Sequence, residues 1–407
     1  MIDVTVGDAS RRADDGRRTL TLVSVAHWVS HFHMLALPIM FPFLKTALDV
    51  SYVELGFALT VFAIVSAVTQ VPLGYLVDHF GARRLLIAGL VLGGLSFFLL
   101  SLFPTYPGLI ATAALLGVAN SVYHPADYAL LAANMDNARM GRAFSIHTFS
   151  GYLGGAMTPP IIAPLLSVAG GHGALIVSGA LAFVVAALLI ALPIPEAAGA
   201  ARTAQAKTER VSIITPTVLM LTLFFLLLSL ALNGISMFGA VALMKGYGEP
   251  FAAANITLTA FLTASAVGVL AGGLLADRMT RHHDFSALCV GLNALIVLAI
   301  SLSHPGTIGL LMTLAVSGFL IGIITPSRDL MVRAAAPEGA AGRTFGIVTS
   351  GINISGIIAP VVFGWVMDHD MPRWVFVGTA ICMALTIVVA LAGRRPAGSQ
   401  AGLPGRA

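Results

Sequence analysis

Apolar runs of about 20 residues recur along nearly the whole chain, and they constrain its fold more than any other feature. This is the length that an α-helix needs to cross the hydrocarbon core of a bilayer. Only 10% of the 407 residues are charged, whereas a soluble domain has about 25%. A soluble fold with this many apolar residues, 57% of the chain, would expose too much apolar surface. The sequence therefore predicts an all-α integral membrane protein.

Twelve runs can be counted, six on each side of a polar, alanine-rich central segment. The predicted spans are residues 20–43, 52–76, 84–103, 107–132, 142–166, 174–193, 215–243, 252–276, 286–303, 307–333, 343–366 and 373–393. The predicted parts are a cytoplasmic tail (1–19), an N-terminal six-helix half (20–193), a cytoplasmic linker (194–214), a C-terminal six-helix half (215–393) and a second tail (394–407). The first tail is polar through Arg18, and we expect it to be disordered.

The basic residues predict the orientation of these spans. If the amino terminus lies in the cytoplasm, 18 of the 22 Lys and Arg residues fall in cytoplasmic loops and tails. Lys45, Lys245 and Arg373 fall on the opposite side, and Arg328 lies inside a span. This bias follows the positive-inside rule. We therefore expect both termini to lie in the cytoplasm.

The two halves align with each other at an offset of 199–201 residues. The matching positions are Lys45 with Lys245, Asp78 with Asp277, Pro125 with Pro326, Gly141-Arg142 with Gly342-Arg343, Phe144 with Phe345, and Pro160 with Pro360. A parallel duplication of two six-helix halves is typical of one fold of secondary transporters.

A short charged loop separates the second and third spans and has a weaker copy in the second half. It reads Gly74-x-Leu76-x-Asp78-x-x-Gly81-x-Arg83-Arg84, and the copy reads Gly273-Leu-Leu-Ala-Asp277-Arg278. With twelve spans, a long central loop and both termini inside, the chain resembles the major facilitator superfamily over about residues 20–393. The resemblance implies two halves that rock about a cavity lined by the first, fourth, seventh and tenth spans.

Within that superfamily, the first half resembles the fosmidomycin-resistance-type branch of bacterial efflux proteins. The resembling stretches are Ala26-His27-Trp28-x-x-His31-Phe32, Leu37-Pro38, Leu55-Gly56-x-x-Leu59-Thr60-Val61-Phe62 and His124-Pro125. The branch often has an acidic residue where His31 stands, and it differs at Ala126-Asp127-Tyr128. The resemblance implies efflux, while these departures in the predicted cavity bear on specificity.

The carboxylates of the two loop copies are predicted to act as cytoplasmic latches. A carboxylate can accept hydrogen bonds from free N–H groups at a helix N-terminus, where the helix dipole is positive. The resemblance implies that Asp78 meets the start of the eleventh span, where Arg343 adds a salt bridge. Asp277 would mirror this at Arg142. The alternative is a solvated loop that serves topology alone. The predicted gating residues are Gly74, Asp78, Gly81, Arg83, Arg84, Arg142, Asp277, Arg278 and Arg343.

Polar residues inside the fourth span point to a functional site, because ionisable groups within a membrane are costly. Asn120, His124 and Asp127 are four and three residues apart, which places them on one helical face. Tyr123 lies one turn before Asp127 and could hydrogen-bond it.

The repeat offset places a base opposite this acid, since Asp127 aligns with Arg328, which Asp329 follows. Two interpretations stay open. In the first, Asp127 titrates as the coupling proton site, and Arg328 binds an anionic group or modulates Asp127. In the second, Arg328 forms a permanent ion pair with Asp127 or Asp329.

Histidines in the first and fifth spans are further candidates for the cavity. His27 and His31 share a face, whereas His33 lies on the other side of the helix and matches Asn233 of the seventh span. Histidine titrates near neutral pH and suits a proton relay, as would His147 of the fifth span. Structural hydrogen bonding is the alternative. Two His four residues apart can also bind a metal, but no carboxylate or cysteine joins them in sequence, so no metal site is predicted.

Together these patterns predict a secondary active transporter, expected to be proton-coupled, that moves a small organic molecule across a bacterial inner membrane by alternating access. Export by an antiporter is favoured, and proton-linked uptake of a small organic acid anion is the alternative. A membrane sensor or assembly partner with a transporter-like fold is a remote one. No catalytic constellation stands out, so neither an enzyme nor a cofactor is expected. The expected partners are the substrate, protons and lipid, without nucleic acid, and we expect a monomer.

Overall fold

The part of the chain that the structure describes is built from α-helices. The computed structural model describes residues 3–136, 139–192, 194–195, 214–276, 278–337 and 340–392, and these contain thirteen helices and no strand. The first-half helices are α1 (Asp3–Ile39), α2 (Phe41–Leu48), α3 (Tyr52–Phe80), α4 (Ala82–Leu102), α5 (Tyr106–Asn134) and α6 (Met140–Ala191). The second-half helices are α7 (Pro216–Tyr247), α8 (Phe251–Ala276), α9 (His282–Leu302), α10 (Gly306–Ile323), α11 (Thr325–Ala335), α12 (Ala341–Asp368) and α13 (Trp374–Ala392).

Twelve membrane spans follow from these helices. Eleven helical stretches in the described residues are long and apolar enough to cross a membrane. One of them, α6, has 52 residues and contains two spans that meet at Gly170, where φ is 66°. Because a positive φ suits glycine, Gly170 permits the sharp change of direction between the fifth and sixth spans. The tenth span is divided at Ile324 into α10 and α11, just before Pro326, whose ring disfavours a continuous helix.

The amino-terminal tail differs from the prediction of disorder. The α1 helix begins at Asp3, well before the predicted span. An Arg17–Asp14 ion pair of 3.3 Å lies along this part of the helix, and Thr19 is fully buried. The polar residues thus continue the helical backbone of the first span, because a span that has already formed extends by one hydrogen bond per added residue.

The two halves repeat the same pattern of helix packing. In the first half α1 packs on α6, α3 on α5, and α4 on α6; in the second half α7 packs on α12, α8 on α10, and α9 on α13. Between the halves, α3 packs on α12 and α6 on α8. This equivalence is the structural counterpart of the repeat in the sequence, and it confirms the all-α fold with two six-helix halves.

The halves are joined most clearly at one end of the bundle. We call the end where α3 begins the Tyr52 end, and the end that carries Gly74–Leu86 the loop end. One cluster of buried apolar side chains crosses between the halves at the Tyr52 end, where the ring centroids of Phe41 and Phe238 lie 5.3 Å apart. A second buried cluster at the loop end, around Leu86 and Leu130, contains first-half residues only. The apolar core is therefore continuous between the halves at the Tyr52 end.

Candidate functional site

Three helices of the first half bring a carboxylate and two imidazoles into contact. Asp127 of α5 is fully buried, and its Oδ2 lies 2.9 Å from Nε2 of His147 on α6. Nδ1 of His27 on α1 lies 3.4 Å from the same oxygen. The imidazole rings of His27 and His147 stack with their centroids 3.9 Å apart. We call Asp127, His27 and His147 the buried triad.

Two further histidines connect the buried triad with less buried space. His31 and His124 are both partly exposed, and their ring centroids lie 4.7 and 5.2 Å from that of His27. Tyr128, an exposed residue, packs against His124 and His147 with centroid distances of 5.7 Å in both cases. Four imidazoles thus extend from a fully buried carboxylate toward an accessible surface.

Several polar atoms of this cluster have no hydrogen-bond partner among the described residues. They are Asp127 Oδ1, Tyr123 OH and the Nδ1 atoms of His27, His124 and His147. The hydrogen bond predicted between Tyr123 and Asp127 is therefore not made. An unpaired buried polar atom costs about 1–3 kcal/mol, and an uncompensated buried charge costs more. The cluster therefore has unused capacity to bind protons, water or a polar ligand.

The spacing of the buried triad indicates a proton site better than a metal site. One nitrogen of each histidine and one oxygen of Asp127 lie within 4.8 Å of one another, which a metal ion could span. However, the 2.9 Å contact between His147 and Asp127 is a hydrogen-bond distance. It is shorter than the edge of about 3.3 Å between ligand atoms around a tetrahedral zinc ion.

Three other predicted cavity residues make hydrogen bonds within their own half. His33 lies 3.0 Å from the carbonyl oxygen of Ser178. Asn120 donates to the hydroxyl of Ser66 at 2.9 Å, and Asn233 donates to the hydroxyl of Ser355 at 3.0 Å. His33 is buried, so its hydrogen bond satisfies a group removed from water, whereas Asn120 and Asn233 are partly exposed. His33 and Asn120 do not join the buried triad.

Arg328 pairs with its neighbour rather than with the buried triad. Its Nε lies 3.1 Å from Oδ1 of Asp329, and its guanidinium carbon lies 4.6 Å from the ring centroid of Phe225. Among the described residues, Arg328 and Asp127 form no ion pair. Of the two pairings considered from the sequence, only the one with Asp329 is therefore present in this conformation.

The predicted gating residues lie mostly at the surface of the loop end. Asp78 and Arg343 are exposed, as are Arg84, Arg142 and Arg278, and no ion pair between Asp78 and Arg343 occurs in the described part of the chain. Asp277 lies outside the described residues. The latch between Asp78 and the eleventh span therefore stays a prediction, for a conformation in which the loop end closes.

Three residues of the loop have local structural functions. Gly81 joins α3 to α4 with φ at 95°, a backbone conformation that favours glycine. Arg83 donates to the carbonyl oxygens of Leu189 and Ile190 in the last turn of α6, with its shortest contact at 2.7 Å. A cation suits the free carbonyls and the negative dipole at a helix C-terminus. Gly74 lies beside Pro125 at the edge of a surface cavity that Asp78 also lines.

The structure shows a polar contact at the Tyr52 end that the sequence did not predict. The Asp368 carboxylate, at the end of α12, accepts hydrogen bonds from the backbone N–H groups of Tyr52 and Val53, both at 2.8 Å. Lys45 Nζ lies 3.9 Å from this carboxylate. The ammonium groups of Lys45 and Lys245 lie 4.8 and 5.0 Å from the centroid of the Tyr52 ring. We call this contact the Tyr52 lock.

The Tyr52 lock completes the N-terminus of α3. The first four N–H groups of a helix have no partner within it. Here Ser51 satisfies those of Glu54 and Leu55, and Asp368 of the other half satisfies the two that precede them. The lock therefore joins the halves by the same physics as the predicted latch, at the opposite end. Lys45 and Lys245, which occupy equivalent positions in the two halves, are the feature of the sequence that could have indicated the Tyr52 lock.

Asp368→Asn should weaken the Tyr52 lock. Loss of a charge-assisted interaction with two N–H groups costs roughly 1–3 kcal/mol. We expect amide hydrogen exchange in the peptide that contains Tyr52 and Val53 to accelerate about 10-fold, measured by mass spectrometry on the purified full chain. Asp370→Asn is the matched control, because within the described part of the chain that exposed residue pairs only with Lys245, at 3.6 Å, and exposed pairs contribute little. Equal exchange in both variants would contradict the lock.

The fold and the buried cluster together define a class of protein: a helical solute transporter with two equivalent halves. The chain belongs to the Major Facilitator Superfamily, whose sequence model matches residues 23–254 and 226–407. It is therefore a multi-pass membrane protein of a family that transports small molecules, and the family assignment points to a transporter rather than an enzyme.

Curated relatives agree with this assignment, and solved structures agree with the fold. The chain is 23% identical over 383 residues to the fosmidomycin resistance protein of Escherichia coli (strain K12), covering 91% of this chain and 90% of the relative. A bacterial homolog of the human lysosomal transporter Spinster matches the fold with a TM-score of 0.78 at 12% identity, over 93% of this chain and 97% of that one. The nucleoside transporter NupG matches with a TM-score of 0.75 at 16% identity, over 93% and 99%. The branch resemblance predicted from the sequence is thus confirmed.

Proposed function

We propose that the chain is a proton-coupled secondary active transporter that moves a small organic molecule by alternating access between its two halves. The observation that carries this proposal is the buried triad. One oxygen of the fully buried Asp127 carboxylate lies 2.9 Å from a nitrogen of His147 and 3.4 Å from a nitrogen of His27. This group lies inside a bundle that spans a membrane. Carboxylates and histidines placed in this way form proton relays in transporters.

Because Asp127 is buried, its protonation affects how easily the bundle closes. An ionised carboxylate in a closed, dry site costs several kcal/mol unless it is paired, so the bundle closes around Asp127 more easily when a proton neutralises the triad. His31 and His124 are partly exposed and would pass protons between the triad and the open side. In an antiporter, cargo binding and protonation would compete for this closing step. In proton-linked uptake, both would precede it. Either arrangement couples movement of the cargo to movement of protons.

Export by antiport is the favoured direction. It is supported by the near full-length similarity to the fosmidomycin resistance protein. A second relative is named a proton-coupled antiporter flippase, LtaA of Staphylococcus epidermidis, at 29% identity over 113 residues, 28% of each chain.

Proton-linked uptake of a small organic acid anion is the second candidate, which Arg328 supports. A probable sulfoacetate transporter of Cupriavidus necator is 25% identical over 162 residues, covering 40% of this chain and 37% of the relative. In this direction the protons and the anion would move together. A sensor or assembly partner with this fold remains the remote third candidate.

The proposed location is a bacterial inner membrane, with both termini in the cytoplasm and a monomer as the working unit. The charge bias of the loops supports this orientation. The loop end would then face the cytoplasm, and the Tyr52 lock would close the opposite face.

Transport in proteoliposomes tests the proposal. Purified chain is reconstituted with a trapped pH-sensitive dye, and drugs and carboxylates are added with and without imposed pH and voltage gradients. We expect the active compound to move protons across the bilayer and to accumulate according to the pH gradient. Exchange of labelled for unlabelled compound that shows no response to pH or to an imposed gradient would overturn proton coupling.

A further inference from the structure

The guanidinium of Arg328 is only partly neutralised and only partly bonded. Its side chain is 17% exposed, and its partner Asp329 is 46% exposed. Within the described part of the chain, its one ion-pair contact uses Nε, on one edge of the guanidinium. Phe225 covers one face of the group at 4.6 Å, which stabilises a cation without occupying its N–H donors.

The other edge of this guanidinium is available to a ligand. Among the described residues, neither terminal nitrogen of Arg328 makes a hydrogen bond. A nitrogen without a hydrogen-bond partner can be either fully buried or accessible. The terminal nitrogens of Arg328 are not among the fully buried polar atoms that lack a partner, so they are accessible to solvent. The two terminal N–H groups form a planar fork that matches two oxygens of a carboxylate, phosphonate or sulfonate.

The Arg328–Asp329 pair lies within electrostatic range of the first half. Arg328 is within that range of Tyr152 on α6, and Asp329 is within it of Tyr128 on α5. Tyr128 in turn packs on His124 and His147. The Arg328–Asp329 pair is therefore near first-half side chains that adjoin the histidine cluster.

We propose that Arg328 binds the oxyanion group of the transported molecule through its two terminal nitrogens, with Asp329 as an exchangeable counter-ion. The cargo is then a small organic anion with a carboxylate, phosphonate or sulfonate at one end. Phe225 provides an apolar surface beside this group. This inference rests on the proposed function only in treating the bound anion as cargo, and it holds for either direction of transport.

Asp329 explains how Arg328 can stay charged inside the membrane protein before the cargo binds. A guanidinium without any partner in a membrane protein is costly, and Asp329 offsets part of that cost in the empty site. Because Asp329 is nearly half exposed, its carboxylate can be rehydrated when a better-matched, bidentate anion takes over Arg328.

Binding of simple anions to the purified full chain tests this assignment without any gradient. The probes are methylphosphonate, sulfoacetate and acetate, with dimethyl methylphosphonate and acetamide as neutral counterparts, at constant NaCl and pH. Thermal unfolding is followed by intrinsic fluorescence. We expect at least one of the anions, and neither neutral counterpart, to raise the midpoint temperature of the native chain in a saturable way.

Two variants of the pair should change binding in opposite directions. Arg328→Gln should weaken binding of the stabilising anion about 10-fold or more, since it removes a charge-assisted fork. Asp329→Asn should strengthen binding about 3-fold, because it removes the competing carboxylate. Arg333→Gln is the matched control and should leave binding unchanged, because Arg333 is an exposed arginine on the same helix α11.

Three results would overturn the assignment: neutral counterparts that stabilise as well as the anions, no saturable effect of any anion, or an Asp329→Asn variant that binds less tightly. The gain expected for Asp329→Asn keeps the test decisive if Arg328→Gln folds poorly. Proton coupling is measured separately, by dye response in proteoliposomes. Anion binding without proton movement would therefore contradict the proposed function alone.

Discussion

Asp127→Asn is expected to abolish accumulation driven by a proton gradient while exchange of labelled for unlabelled substrate continues. One coupled proton and one unit of pH difference support about 10-fold accumulation, because one unit corresponds to 1.36 kcal/mol. The variant cannot bind the coupling proton, so its accumulation ratio should fall to about 1. Asparagine keeps the size of the side chain and can still accept a hydrogen bond from His147.

The measurement compares the two modes in the same proteoliposomes. Glu249→Gln is the matched control. Glu249 is also a buried acid, but it is bonded to the Thr307 hydroxyl at 2.9 Å in the second half, away from the histidine cluster. It should keep normal accumulation. Normal accumulation in Asp127→Asn would show that another group carries the proton.

Gly56→Trp is expected to hold the Tyr52 end open and to stop transport. A Cβ atom at Gly56 would lie 2.2 Å from the carbonyl oxygen of Pro360 on α12, so the two backbones touch and leave no space for a side chain. Overpacking costs about 1–3 kcal/mol, which shifts a conformational equilibrium about 5- to 150-fold. We therefore expect a fall in transport of at least about 5-fold.

Distances between spin labels report the same change directly. Labels at Thr46 and His369, both exposed at the Tyr52 end, are placed in a chain whose two native cysteines are replaced by alanine. The distance distribution should move to longer values in Gly56→Trp. Gly346→Trp is the control, since Gly346 lies on the same helix α12 with open space around its Cβ position. An unchanged distribution in Gly56→Trp would contradict a closed contact at this end.

Local patterns in the sequence were sufficient for much of the fold. Helix length and hydropathy predicted the twelve spans, since a membrane-spanning helix satisfies its backbone hydrogen bonds internally. The break in α6 at Gly170 and the division of the tenth span at Ile324 are local too, because each depends on the backbone geometry of a few neighbouring residues. Helical periodicity predicted that Asn120, His124 and Asp127 share a face, because one helix fixes which of its own residues lie on the same side.

The partners of those residues could not be predicted in the same way. His147 is 20 residues from Asp127 in sequence and on another helix, and Asp368 is 316 residues from Tyr52. Which groups meet depends on the rotation and depth of each helix in the bundle, and hydropathy leaves both undetermined. The repeat offset aligned Asp127 with Arg328, yet the side chain of Arg328 turns to its neighbour Asp329.

The sequence by itself determined the class of this protein: a duplicated twelve-span membrane bundle whose loop motif and histidines resemble the Major Facilitator Superfamily. Only the tertiary structure decided that three helices converge on Asp127, that Arg328 keeps a free donor edge, and that Asp368 joins the halves at the Tyr52 end. The reason is physical. Apolar length and periodicity act within one helix, whereas the proton site, the anion site and the lock arise from contacts between helices that are distant in the chain.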